Sequence, residues 1–215
     1  MRIAVIRALT TSDPRLQHAH GRALERAYGF HVVTRCIPDQ PRGVHDAASF
    51  AEAAPKVVAM ARELEGQVDA VLISCTADPG LSQARRAVRV PVVGAGAAGA
   101  AAALAMGGTT GVLGLERAIP EAVTDAIWPR PSVTAGPAGV ADPAGFHTPT
   151  GAFGAVAEAA HLRDAGADVI LLGSAALSSI GIAPHLRRTL GVPVIDPVLA
   201  AGSALASALG LPAVA

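Results

Sequence analysis

An internal repeat constrains this chain more than any other feature. Residues 68–75, Val-Asp-Ala-Val-Leu-Ile-Ser-Cys, align with residues 167–174, Ala-Asp-Val-Ile-Leu-Leu-Gly-Ser. Each copy continues into a helical stretch with an arginine pair, Arg85-Arg86 and Arg187-Arg188. Each then reaches Val-Pro-Val, at 90–92 and 192–194, and an Ala-rich helix, roughly 96–106 and 198–209. Fixed-period self-similarity means one supersecondary unit built twice. The runs 70–73 and 169–172 are continuously apolar, and such strands need cover on both faces, which only a parallel sheet between helices provides. Residues 3–6 and 112–115 read as the first strand of each copy, 31–37 and the weaker 132–135 as the second. The expected fold is α/β, with two pseudo-symmetric lobes, each a small parallel sheet flanked by helices, and an active site in the interlobe cleft. The first lobe takes residues 1–95 plus about 198–215, its last helix packing back, and the second takes about 96–197. Residues 129–149, rich in Pro, Gly, Ala and Thr, read as an irregular flap.

With 215 residues the chain can bury a sizeable core in two lobes of about 100 residues each. Its 17 basic and 17 acidic side chains are scattered, which leaves no footprint for nucleic acid or an anionic membrane and favours a small-molecule partner. The Ala-rich stretch 90–106 carries Pro91 and three glycines and reads as strand, turn and buried helix rather than a membrane span. Two cysteines, Cys36 and Cys75, cannot build a disulfide framework and fit the reducing cytoplasm. His18 and His20 stand two apart, on different helix faces, so no zinc pair is expected. The single lysine, Lys56, sits in a helical pattern over 51–64 with no phosphate cradle, which leaves pyridoxal phosphate without an anchor. Gly94, Gly96 and Gly99 match a dinucleotide fingerprint by letters alone, and close helix packing explains them better.

In parallel sheets ligands lie at the carboxyl ends of strands. Cys75 and Ser174 both follow such a strand at corresponding places in the repeat, so they are expected to flank a common cleft. A thiol at a helix N-terminus has a lowered pKa. Two acid/base groups on opposite faces of one carbon could remove a proton from one side and return it on the other. Thr10, Thr11, Thr76, Gly114, Leu115 and Ala175 stand where hydroxyl or backbone donors could hold a carboxylate or imide oxygen. The bland readings compete: Ser174 as a helix N-cap, the threonines as caps, Asp78 as a cap of the helix that follows it, Asp196 as a turn former, Cys36 as core.

The motifs Thr34-Arg35-Cys36-Ile37-Pro38-Asp39-Gln40-Pro41, Ser74-Cys75-Thr76-Ala77-Asp78-Pro79-Gly80 and Ser179-Ile180-Gly181-Ile182-Ala183-Pro184 resemble the hydantoin-racemase branch of the aspartate/glutamate racemase superfamily, over nearly the whole chain. The resemblance implies a two-lobe fold, an active site between the lobes, no cofactor, two catalytic cysteines and a small carboxylate or cyclic imide as substrate. Two departures qualify it. Where the family has its second cysteine this chain reads Gly173-Ser174-Ala175-Ala176, and a serine hydroxyl is a far weaker acid than a thiol. Where many hydantoin racemases have Asn-Pro-Asn-Thr it reads Arg7-Ala8-Leu9-Thr10.

The expected activity is therefore racemisation or epimerisation at a carbon alpha to a carboxylate or imide, with Cys75 as acid/base and Ser174 at the second position. Three explanations of Ser174 stand: an engineered replacement, a natural change leaving a one-sided catalyst, or lost activity. The rivals are a single-thiol decarboxylase or isomerase of the same superfamily and a non-catalytic small-anion binder. A homodimer or higher homo-oligomer is compatible with all of them.

Overall fold

A computed structural model describes residues 1–115, 120–127 and 132–210. The first sheet contains β1 (Arg2–Arg7), β2 (His31–Cys36), β3 (Ala70–Ile73) and β4 (Val92–Gly94), in the order β2-β1-β3-β4. The second contains β5 (Thr110–Leu113), β6 (Ser132–Ala135), β7 (Val169–Leu172) and β8 (Val194–Ile195), in the order β6-β5-β7-β8. Every pairing is parallel, and the two orders are the same order repeated. The chain is thus α/β, with two four-stranded parallel sheets flanked by helices.

The period of two along each strand divides the core into faces. Ala4 and Ile6 of β1, with Val71 and Ile73 of β3, pack under α2 (Ala47–Leu64) and α3 (Leu81–Ala87). Ile3 and Val5, with Ala70 and Leu72, pack on the opposite face with Leu24 of α1 (Pro14–Tyr28). That face is also closed by Val198, Ala201 and Leu205 of α9 (Pro197–Ala208), the last helix of the second repeat. The second sheet is built in the same way. Ile170 and Leu172 face α6 (Pro149–Asp164) and α8 (Ala183–Leu190), while Val112 and Leu171 meet Ala100 and Ala103 of α4 (Ala95–Met106) and Val123 of α5 (Glu121–Ile127). Each repeat therefore lends its final helix to the other repeat's sheet, and α4 and α9 pack against each other. A fully buried side chain such as Leu205 contributes about 1.5–3 kcal/mol, so the exchanged helices bind the lobes together.

Local signals set the helix ends. Asp13 caps α1 by accepting from the Arg15 N–H, Pro14 opens the helix, and Gly29 ends it at φ 67°. Asp46 and Ser49 form a reciprocal capping box that starts α2 at Ala47, four residues earlier than the periodicity predicts. The segment 129–149 is not a free flap where it is described. It holds β6 and a 3-10 turn, Pro143–His147, whose Phe146 is fully buried in the second core. Residues 129–131 of that segment lie outside the described residues, as do 211–215 at the chain end. Among the described residues, no helix is long and apolar enough to cross a membrane.

Candidate active site

The carboxyl ends of β1, β3 and β7 converge between the lobes. Arg7 ends β1, Ser74 and Cys75 follow β3, and Gly173 and Ser174 follow β7. Arg7, Cys75, Thr76, Ser174 and Ala175 line one small cavity of about 40 Å³. A larger cavity of about 700 Å³ shares Val44 with it and is lined in part by Ala77, Asp78 and Leu115.

Two hydrogen-bonded bridges tie the lobes at this point, besides an Arg7–Ser179 bond. Thr76 donates its hydroxyl proton to the Gly173 carbonyl at 2.8 Å, both groups being buried. The fully buried ring of His20, from α1, forms the second. Its Nε2 lies 2.9 Å from the Ala175 carbonyl and 2.8 Å from Ser179 Oγ, and its Nδ1 lies 2.6 Å from Ser74 Oγ. A carbonyl only accepts, which places the proton on Nε2 and makes Nδ1 the acceptor for Ser74. Burial, then the nearby Arg7 charge, holds the His20 pKa well below its ordinary value, so the ring is neutral. One imidazole thus connects the residue before Cys75 to the residue after Ser174.

The electrostatics of Cys75 correct one expectation. The thiol is not at a helix N-terminus, because α3 begins six residues later at Leu81. Burial pushes its pKa up to about 12, although the backbone N–H groups of Ala77 and Asp78 and the Arg7 charge favour the thiolate. Desolvation outweighs both, and the resting group is a protonated thiol. Ser174 is 5 % exposed and caps α7 (Ala175–Ser179), its Oγ accepting from the Ala176 N–H at 3.4 Å. The capping role and the cavity-lining position coexist.

The remaining candidates divide. Thr76 and Ala175 are at the small cavity, and Leu115 is at the larger one. Thr10 is exposed and its hydroxyl is committed to the Ile37 carbonyl and the Gln40 N–H, while Thr11 accepts from the Asp13 N–H. The Gly114 N–H is spent on the Ala135 carbonyl. These bonds belong to loop structure and strand pairing. Asp78 caps a different helix from the one expected: its carboxylate accepts from Gly96 N–H at 3.0 Å and Ala97 N–H at 2.7 Å, at the start of α4. Gly94, Gly96 and Gly99 are packing glycines, since added Cβ atoms would strike the Asp78 carboxylate, the Thr76 carbonyl, and Leu171 with Pro197. Asp196 caps α9 through Val198 and Leu199 N–H groups. Cys36 is not inside a strand core. It is the half-buried last residue of β2, where burial raises its pKa against the opposing pull of the Arg7 charge and the Thr11 N–H.

Arg7, His20 and His147 are the residues that the sequence reading missed. Arg7 is 1 % exposed, with a pKa that burial lowers to about 10. Its terminal nitrogens donate to the Leu16 carbonyl and, at 3.0 Å, to Ser179 Oγ. Arg7 Nε and His147 Nε2 are buried without a hydrogen-bond partner, alone in this among the described side chains. The available signal for Arg7 was a cation closing an otherwise apolar strand.

A two-lobe, parallel α/β protein with Cys75 and Ser174 lining one interlobe cavity defines a class, and comparison with known proteins agrees with it. The Asp/Glu/hydantoin racemase family matches residues 15–205. A hydantoin racemase from Rhizobium meliloti is 30% identical over 217 residues, covering 98% of this chain and 89% of that protein. Among solved structures, an allantoin racemase from Klebsiella pneumoniae superposes with a TM-score of 0.84 at 23% identity, covering 100% of this chain and 90% of the other. An allantoin racemase from Pseudomonas fluorescens gives 0.82 at 23%, covering 100% and 94%. The chain belongs to the Asp/Glu/hydantoin racemase family. That membership makes it an isomerase of the racemase type.

Proposed function

We propose that the interlobe cavity carries out cofactor-independent proton transfer at a carbon alpha to a carboxylate or imide carbonyl, with Cys75 as the acid/base on one face and Ser174 at the second position. The observation that carries this reading is the shared cavity: the sulfur and the hydroxyl come from corresponding strand ends of the two repeats and line the same small space. The relatives named as racemases of hydantoin and allantoin support racemisation, the same change at a carbon beside a carbonyl. Cys75 rests protonated, so the α-proton is taken by the small thiolate fraction that the Arg7 charge favours, and a proton is returned by the resulting thiol on the same face or by the Ser174 hydroxyl on the other. Ser174 has no base bonded to its hydroxyl, which leaves the second face slow.

The test is incubation in heavy water with amino acids, 5-substituted hydantoins and substituted malonates. A racemase washes deuterium into recovered substrate, whereas a decarboxylase labels only its product. Ser174→Cys supplies the second thiol and is expected to raise exchange and racemisation by at least about tenfold, a barrier change of about 1.4 kcal/mol. Absence of exchange in both proteins, with Cys75→Ala leaving small-anion binding intact, would replace this reading by an anion-binding one.

A further inference from the structure

We propose that Arg7 is the docking point for a substrate carboxylate, so that this chain selects an open-chain carboxylate over an uncharged cyclic imide. The inference rests on the proton-transfer reading above and specifies the substrate class for that site.

The guanidinium is 1 % exposed, lines the cavity that holds Cys75 and Ser174, and keeps one N–H, at Nε, without an acceptor. None of the ion pairs among the described residues includes Arg7. The groups that favour its charge are the thiols of Cys36 and Cys75, both of which burial holds protonated. A buried cation without a counter-anion is costly, and so is an unmade hydrogen bond to it. An incoming carboxylate beside the guanidinium supplies the missing counter-charge. His147 Nε2 is the other unpartnered buried atom, and the Arg7 charge adds to burial in lowering the His147 pKa.

A merely structural arginine, tying Leu16 to Ser179, would need no free Nε–H and no place on the cavity wall. The small cavity has room for a group of carboxylate size, and the larger adjoining cavity has room for the rest of the molecule. The chemistry agrees. Removing a proton alpha to a carboxylate builds a second negative charge on the carboxylate oxygens, and a desolvated guanidinium placed there stabilises it most where it develops. An uncharged imide makes less use of such a cation.

Isothermal titration calorimetry at pH 7 with N-carbamoylalanine and 5-methylhydantoin, the ring-opened and ring-closed forms of one skeleton, tests this. The native chain is expected to bind the carboxylate at least about tenfold more tightly than the ring. Arg7→Gln is expected to weaken the carboxylate by about 10- to 100-fold and the ring by less than about threefold, with Arg7→Lys intermediate for the carboxylate. Equal or tighter binding of the ring by the native chain overturns the proposal whether or not the variants fold. So does a folded Arg7→Gln with unchanged carboxylate affinity, or a native chain that binds no carboxylate. The two readings fail separately. Arg7-dependent carboxylate binding without deuterium exchange in any compound removes the proton-transfer reading alone. Exchange in hydantoins with carboxylates ignored removes this one alone.

Discussion

Thr76 and Gly173 are joined across the two lobes by a buried 2.8 Å hydrogen bond, and each neighbours a residue of the candidate pair, Cys75 and Ser174. The bond fixes how far apart the two strand ends sit. Its acceptor is a buried backbone carbonyl, so its loss exposes the asymmetry between a made and an unmade buried bond.

Thr76→Val keeps the side-chain shape and removes the donor. The expected cost is about 1–2 kcal/mol of unfolding free energy in urea titration. Deuterium exchange into substrate should fall as well, because the two faces of the cavity lose their fixed spacing. Unchanged stability would mean that this bond does not help to hold the lobes together.

Cys75 gives a pH prediction. With its thiol pushed up to about 12, the resting protein should react slowly with iodoacetamide at pH 7, and the rate at Cys75 should still be climbing above pH 9. Cys75→Ala separates this signal from that of Cys36. A rate that levels off near pH 7 would show a preformed thiolate and refute the assignment. The stability consequence has a definite sign. The folded pKa is above the unfolded value near 9.0, so the contribution is fully present below pH 9 and is lost as the pH rises toward 12.

The fold was legible because its signals are local and repeated. The runs 70–73 and 169–172 are apolar on both faces, and both became central-pair strands at corresponding places in their sheets. Cys75 and Ser174 were legible for the same reason, since alignment of the copies places them without any knowledge of contacts. His20 was not. Its neighbour His18 invited a question about metal spacing, whereas its real partners, Ser74 and Ala175, lie 54 and 155 residues away. Arg7 was equally hidden, because what matters about it is a missing partner, and spacing along a chain cannot show that. The acidity of Cys75 was misread by weighing helix position and omitting desolvation, which is a property of the packed structure.

Asp78 and Asp196 answer the same need in different ways, and this yields a coupled prediction. Each exchanged helix has a buried N-terminus that requires an acceptor. In the second repeat Asp196, immediately before α9, caps it directly, with Ser178 bonded to the carboxylate at 2.8 Å. In the first repeat the corresponding residue is Gly94, and the carboxylate arrives from Asp78, whose counterpart in the other copy is Leu177. A Cβ on Gly94 would lie 2.4 Å from that carboxylate, although φ of −98° at this position suits any residue. Gly94→Asp alone should therefore force two carboxylates into one site and destabilise by several kcal/mol, on the order of a broken buried pair. Asp78→Ala alone should cost about 1–2 kcal/mol through the lost cap. The double variant should recover most of the loss by recreating the second repeat's arrangement, a coupling well beyond the ~0.5 kcal/mol within which independent sites add. Burial holds the Asp78 carboxyl at about 6, above its ordinary 3.8. Native stability should then fall as pH rises from about 4 to 6, and Asp78→Ala should flatten that window. Urea titrations of the four proteins at pH 4.5 and 7 measure both effects, and additive losses would disprove the shared site.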